Sequence, residues 1–153
     1  KEELYRELVK SDGLKALPGV RELLEELKMA GIPCVVGTST ERENLRLAFD
    51  LLGLSEFFLG STCSEDVSRG KPDPEVFLKA AEKTGLPPER CFVIEDTAHG
   101  LEAALAGGIK AIGVATTRPA EHLALAHWVA DDMVQLNLAT IHSLFNDAPV
   151  TSE

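Results

Sequence analysis

The sequence predicts an α/β fold, a Rossmann-like, mostly parallel sheet with helices on both faces. Short apolar runs that fit buried strands alternate along the chain with segments whose apolar residues recur at helical spacing. One run, from Phe92 to Ile94, ends directly in the adjacent carboxylates Glu95 and Asp96. A run of this length is typical of a strand buried on both faces. No internal repeat or low-complexity linker interrupts the pattern, so we expect one core domain.

In the first half of the chain, amphipathic helices alternate with short strands. Helical spacing predicts helices at residues 2–10 and 20–27, and apolar runs predict strands at residues 33–37 and 57–59. Between these two strands, Thr40 and Glu43 fit a capping box that opens a further helix, and Gly53 ends it.

In the second half, a polar, irregular stretch at residues 62–70 leads to Lys71. Apolar spacing predicts a helix between Pro74 and Gly85 and another around Leu101, ended by Gly107. The remaining predicted elements are a central strand at residues 91–94, a strand at 110–115, a short helix at 119–126, an edge strand at 127–130 and a last helix at 138–145.

The composition excludes some classes of partner. The 153 residues carry a formal net charge of −10, which argues against binding to nucleic acid or to an anionic membrane surface. We find no apolar stretch near 18 residues and no signal-peptide pattern. The cysteines Cys34, Cys63 and Cys91 lack metal-site spacing, which favours reduced, packed thiols and a cytoplasmic location.

Several polar residues follow predicted strands or lie in a loop that leads to the same sheet edge. They are Thr38 with Ser39, Lys71, and the pair Glu95 and Asp96. Open α/β sheets bind ligands at the carboxyl ends of their strands. Hydroxyl and backbone N–H groups bind phosphoryl oxygens, an ammonium balances negative charge, and carboxylates suit Mg²⁺. The set therefore predicts a site for a phosphate monoester with Mg²⁺.

Each of these features alone also has a structural interpretation. Glu95 and Asp96 can cap the helix that follows, Thr38 can be a capping residue at a strand end, and Lys71 can be a solvated lysine. Their joint order and spacing are more specific than any single residue.

Three segments together resemble the haloacid dehalogenase-like hydrolase superfamily, and within it the branch with β-phosphoglucomutase and sugar-phosphate phosphatases. The segments are Val-Val-Gly-Thr-Ser-Thr at residues 35–40, Arg-Gly-Lys-Pro-Asp-Pro at 69–74, and Phe-Val-Ile-Glu-Asp-Thr-Ala-His-Gly at 92–100.

The resemblance implies a role for each residue of the predicted site. Thr38 would bind the phosphoryl group, Lys71 would steady the nucleophile and the phosphate, and Glu95 and Asp96 would serve Mg²⁺. Ser39 matches a neighbouring position in the phosphate-binding loop. The implied activity is that of an Mg²⁺-dependent phosphatase or phosphomutase that acts on a small phosphorylated metabolite.

The sequence departs from the family in one respect. The family begins with an Asp-x-Asp segment on a central strand, whose first Asp forms an aspartyl-phosphate, and this sequence contains no Asp-x-Asp. We therefore expect an incomplete core that lacks its central first strand and most of the helical cap. Residues 1–16 resemble the end of that cap, residues 17–145 the hydrolase core, and residues 146–153 a frayed tail.

The resemblance implies that the missing strand lies between the strands that end at Thr38 and Asp96. A preceding segment of the same polypeptide or a neighbouring chain would supply it, and the chain alone would be inactive. Two alternatives remain open, namely a non-catalytic binding or assembly module that kept the fold, and a phosphoacceptor domain of the response-regulator type.

Overall fold

The computed structural model describes residues 14–146, which form five strands and five α-helices. In chain order these are α1 (Val20–Met29), β1 (Val35–Gly37), α2 (Arg42–Leu52), β2 (Gly60–Thr62), α3 (Glu75–Thr84), β3 (Phe92–Glu95), α4 (Ala98–Ala106), β4 (Lys110–Val114), β5 (Trp128–Ala130) and α5 (Leu138–Asn146). The predicted helices of this region, except the short one at residues 119–126, and the alternation of strand and helix are confirmed.

All strand pairs among the described residues are parallel, as predicted. The strands form two separate pieces, β1-β2 and β3-β4-β5, and β1 does not pair with β3. Register aligns Gly37 with Thr62 in the first piece and Glu95 with Gly113 in the second. The carboxyl end of each paired strand therefore lies beside that of its neighbour.

Helices cover both faces of the larger piece. Successive side chains of β4 point to opposite faces of the sheet, and each face packs against different helices. Ala111 packs in one buried cluster with Phe77 of α3 and Leu101 of α4. Ile112 packs in a second cluster with residues of α1 and α5, among them Leu27 and Ile141. The predicted two-faced α/β architecture is confirmed by this arrangement.

The prediction of a strand at residues 57–59 is wrong. Ser55–Phe57 form a 3₁₀ turn, and the strand that pairs with β1 is Gly60–Thr62. The ring of Phe58 stacks on Phe49 of α2 at a centroid distance of 4.9 Å. Phe58 is thus used for packing on α2, and the strand that pairs with β1 consists of the small residues that follow.

The predicted capping box at Thr40 and Glu43 is also wrong. Helix α2 begins at Arg42 after Glu41, which makes no side-chain cap. The Arg42 backbone N–H instead donates to the Glu65 carboxylate, at 3.0 Å and 3.1 Å from its two oxygens. A residue distant in sequence thus satisfies the helix start. Likewise, the short helix predicted at 119–126 is a 3₁₀ turn at Ala120–Leu123.

The predicted cap remnant at residues 1–16 and tail at 146–153 fall mostly outside the described residues, so these boundaries remain predictions. Within residues 14–146, no helix combines the length and apolar character that crossing a bilayer requires.

Candidate active site

The residues predicted for the site lie together in one polar cleft at the carboxyl ends of β1 and β3. The cleft has a volume of about 840 Å³. Its lining consists of Thr38, Ser39, Thr40, Lys71, Glu95, Asp96, Thr97, Ala98, His99, Arg118 and His122. The loops after β1 and β3 and the loop before α3 therefore meet as the sequence predicted, while the chemical role of each residue stays a prediction.

Lys71 and Glu95, which both line this cleft, form a largely buried ion pair. The Lys71 Nζ atom lies 2.8 Å from Glu95 Oε2, and the two side chains are only 15% and 8% exposed. The ammonium also lies 4.8 Å from the centroid of the Phe77 ring in α3, within the range of a cation–π contact. The loop lysine is thus fixed to the last residue of β3.

Glu95 is held by further hydrogen bonds. Its Oε1 atom accepts from the Asp96 backbone N–H and from the Thr97 hydroxyl, each at 3.1 Å. Thr97 in turn caps α4, because its Oγ1 accepts from the Gly100 N–H at 3.1 Å. A Cβ atom on Gly100 would overlap the Glu95 carboxylate, so the glycine makes room for this side chain.

Thr38 and Asp96 present polar atoms to the same cleft. The Thr38 Oγ1 atom accepts a hydrogen bond from Thr40 N at 3.1 Å, which leaves its hydroxyl proton available for donation to an anion. The Thr38 backbone N–H is occupied, since it donates to Thr62 O at 2.9 Å. Asp96 Oδ2 accepts from the Thr117 hydroxyl at 2.9 Å.

Two carboxylates organise the loop that carries Lys71. Asp66 accepts from the Cys63 N–H at 2.8 Å and pairs with Arg42, and the hydrogen bond from Cys63 with the Arg42 contact lowers the pKa of Asp66.

Glu75 secures the same loop from the start of α3. It accepts from the backbone N–H groups of Ser68 and Arg69, each at 3.0 Å, and forms an ion pair with Lys79 at 3.1 Å. The hydrogen bond from Ser68, with those from Lys79 and Arg69, lowers the pKa of Glu75. The loop is therefore held at both ends by ionised carboxylates.

An apolar cleft of about 410 Å³ separates β1 from β3. On one side of the cleft, the backbone hydrogen bonds of Cys34 O and Thr38 N are made to β2 and the residue before it. On the other side, Cys91 O accepts a backbone hydrogen bond from the first residue of β4. Because backbone groups alternate in direction along a strand, those of Val35, Gly37, Phe92 and Ile94 point into the cleft. Phe92 to Ile94 are accordingly half-buried, not buried on both faces as predicted.

Comparison with known proteins decides the family. The model of the haloacid dehalogenase-like hydrolase family matches residues 1–108. The chain belongs to this family. The predicted resemblance is therefore confirmed.

Individual members of the haloacid dehalogenase-like family are similar over large parts of this chain. The chain is 34% identical over 145 residues to 5-amino-6-(5-phospho-D-ribitylamino)uracil phosphatase, chloroplastic, from Arabidopsis thaliana, a match covering 94% of this chain and 38% of the relative. It is 38% identical over 110 residues to hexitol phosphatase A from Escherichia coli (strain K12), covering 71% and 50%.

Solved structures show the same fold. β-Phosphoglucomutase from Clostridium difficile superposes with a TM-score of 0.86 at 26% identity, covering 95% of this chain and 63% of that one. CbbY from Rhodobacter sphaeroides, solved in complex with xylulose-(1,5)bisphosphate, gives 0.83 at 28% identity, covering 90% and 63%. The chain thus spans between 38% and 63% of the lengths of these four proteins.

The donor set of the haloacid dehalogenase-like site fits Mg²⁺ in part. Mg²⁺ binds oxygen ligands and commonly takes one or two carboxylates, with water and phosphate completing the octahedron. Asp96 supplies one such carboxylate, and its Oδ1 accepts no hydrogen bond from residues 14–146. Both oxygens of Glu95 are already engaged. The described residues contain no group of three or more His, Cys, Asp or Glu side chains placed to hold a metal, so water and phosphate would supply most ligands of a magnesium ion held by Asp96.

Sequence reasoning missed several residues at this cleft, and four of them have polar side chains of interest for the site. Thr97, Thr117, Arg118 and His122 either line it or bond to a residue that does. A weaker signal existed for Thr117, which comes three residues after the carboxyl end of β4, whereas Thr38 directly follows that of β1. Arg118 and His122 line the cleft from the segment between β4 and β5. No sequence pattern in that segment predicts a site residue.

Proposed function

We propose that this chain is the core portion of an Mg²⁺-dependent phosphatase or phosphomutase acting on a small phosphorylated metabolite. The observation that supports this most is the convergence of Thr38, Lys71, Glu95 and Asp96 in a single polar cleft at the carboxyl edge of a parallel sheet. A hydroxyl, an ammonium and two carboxylates are placed there by three separate loops. A scaffold that only needed to fold would gain little from this arrangement.

In this proposal each residue has a distinct task. Thr38 donates its hydroxyl proton to a phosphoryl oxygen, as does the neighbouring Ser39, and Lys71 balances the negative charge of the phosphoryl group. Asp96 holds Mg²⁺, which neutralises and orients the transferred group when bound. Glu95, with both oxygens engaged, fixes Lys71. It also supports the metal site by accepting a hydrogen bond from the backbone N–H of Asp96.

The attacking carboxylate would come from a strand inserted between β1 and β3. The apolar cleft there has backbone N–H and C=O groups on both edges, contributed by Val35 and Gly37 on one side and Phe92 and Ile94 on the other. An added parallel strand would satisfy them, and it would end beside Thr38 and Asp96. The side-chain carboxylate of its first Asp would then attack phosphorus to form an aspartyl-phosphate. The P–O bond to the substrate would break, and the substrate would leave as an alcohol after its oxygen takes up a proton. Water or a sugar hydroxyl would then attack phosphorus and release the Asp carboxylate.

The substrate class and compartment are part of this proposal. The relatives named above include a hexitol phosphatase and a protein solved with a sugar bisphosphate, which supports a small phosphorylated metabolite as the substrate. The three cysteines Cys34, Cys63 and Cys91 are all free. Unpaired, partly buried thiols are typical of a reducing compartment such as the cytoplasm.

The nucleophile proposal is tested by joining an upstream segment that carries Asp-x-Asp to the chain. The matched control carries Asn at the first Asp, so that the added strand and the fold are the same in both proteins. We expect Mg²⁺-dependent release of phosphate from small sugar phosphates by the Asp form alone. The bare chain is expected to release none.

Two outcomes would contradict the proposal. Turnover by the bare chain or by the Asn control would show that no external carboxylate is needed. An inactive Asp form that also fails to bind vanadate in the presence of Mg²⁺ would instead favour the non-catalytic module, for which such binding is not expected.

A further inference from the structure

Thr117 lies where it can fix the orientation of Asp96 across two strands. The Thr117 Oγ1 atom donates to Asp96 Oδ2 at 2.9 Å, although 21 residues separate the two in sequence. Glu95 pairs with Gly113 in the parallel ladder of β3 and β4. The segment that follows β4 is therefore brought alongside the residue that follows β3.

The backbone that carries Thr117 is tied down on its other side. Ala115 N donates to Ala130 O of β5, and Thr116 N donates to Val114 O, each at 2.9 Å. The two residues before Thr117 are thus held by backbone hydrogen bonds, and the exposed Thr117 side chain extends from them to Asp96. A donor held in this way limits rotation of the carboxylate about its Cβ–Cγ bond.

One oxygen of Asp96 is consequently engaged and the other is not. Oδ2 accepts from Thr117, whereas Oδ1 accepts no hydrogen bond within the described part of the chain. A carboxylate fixed in this manner presents one defined oxygen to a cation. Hydrogen-bond partners of metal-binding carboxylates commonly set both orientation and affinity.

We infer that Thr117 is a positioning residue that orients Asp96 for divalent-cation binding. This inference rests on the proposed function, which places Mg²⁺ on Asp96. Removal of the hydroxyl leaves Asp96 in place but free to rotate, so the affinity for the cation falls.

The test is titration calorimetry with Mg²⁺ alone on the intact natural polypeptide, without substrate. Thr117→Val removes the hydroxyl at nearly constant volume and is expected to raise the Mg²⁺ Kd about 10-fold, at the low end for loss of such a partner. Thr117→Ser retains the hydroxyl and is expected to restore binding to within about 2-fold of the unaltered protein. Thr116→Val, at the adjacent exposed threonine, is expected to leave the Kd unchanged.

Asp96→Asn separates failure of this inference from failure of the proposed function. If Asp96→Asn abolishes binding while Thr117→Val binds as the unaltered protein does, the metal site stands and the role of Thr117 is wrong. If Asp96→Asn leaves Mg²⁺ binding unchanged, the metal site on Asp96 is wrong, and the inference falls with it. A loss of binding shared by Thr117→Val and Thr117→Ser would also overturn the inference, because the hydroxyl would not be the cause.

Discussion

Lys71 and Glu95 form an ion pair of 2.8 Å in which both side chains are largely shielded from water. The lysine comes from an irregular loop and the glutamate ends β3, so the pair joins these two elements directly. Removal of one partner from a buried pair leaves an uncompensated charge, which is usually strongly destabilising. The position of the loop and the charge of the site therefore depend on the same contact.

The first prediction concerns Gly100, which leaves room for the Glu95 carboxylate. Gly100→Ala is expected to displace that carboxylate, break its bonds to Lys71 and Thr97, and lower the free energy of unfolding by about 1–3 kcal/mol, as overpacking does. Urea denaturation measures the change. Gly60→Ala is the matched control, because its added Cβ would lie at an ordinary 3.7 Å from Lys83 Cδ. Equal stability losses in the two variants would contradict the packing argument.

The second prediction is that Lys71 and Glu95 are energetically coupled. Lys71→Met and Glu95→Gln are each expected to destabilise the fold, and the double variant to lose less than their sum. A coupling energy of about 1–3 kcal/mol is expected in a double-mutant cycle of urea denaturation. A coupling below about 0.3 kcal/mol would show that the two side chains act independently.

The sequence predicts the site better than it predicts the contacts that hold it. Glu95 and Asp96 are recognisable because an apolar run ends in them, and Thr38 because it follows a strand. The contact of Thr117 with Asp96 depends on the register of β3 and β4, which no local pattern encodes. The same limit explains the misplaced second strand, since only the folded chain brings Phe49 against Phe58.

The third prediction is a loss of stability in acid that originates in the loop carrying Lys71. The pKa of Glu75 is lowered in the folded protein, chiefly by the hydrogen bond from Ser68 N. A lowered pKa means that the carboxylate contributes stability above the ordinary glutamate pKa of about 4.3 and loses it as pH falls through the lower folded value. Glu75→Gln is therefore expected to lower the urea midpoint at pH 6 and to match the unaltered protein more closely near pH 3.

Glu25→Gln is the control for this titration. Glu25 is exposed on α1 and makes no hydrogen bond or ion pair with the described residues. Its substitution is expected to leave the pH dependence of the urea midpoint unchanged. A difference between Glu75→Gln and the unaltered protein that stays constant from pH 6 to 3 would show that ionisation of Glu75 does not support the loop.

The last prediction concerns the strand expected between β1 and β3. Hydrogen exchange followed by NMR distinguishes amides that face the apolar cleft, at Val35, Gly37 and Ile94, from amides that face an existing neighbour strand, at Val36 and Val93. In the bare chain the first group is expected to exchange faster than the second, because no strand covers it. After addition of the Asp-x-Asp segment, both groups are expected to be protected. If the protection of the cleft-facing amides does not change with the added segment, the strand does not enter this cleft. The attacking carboxylate would then not be positioned beside Thr38 and Asp96.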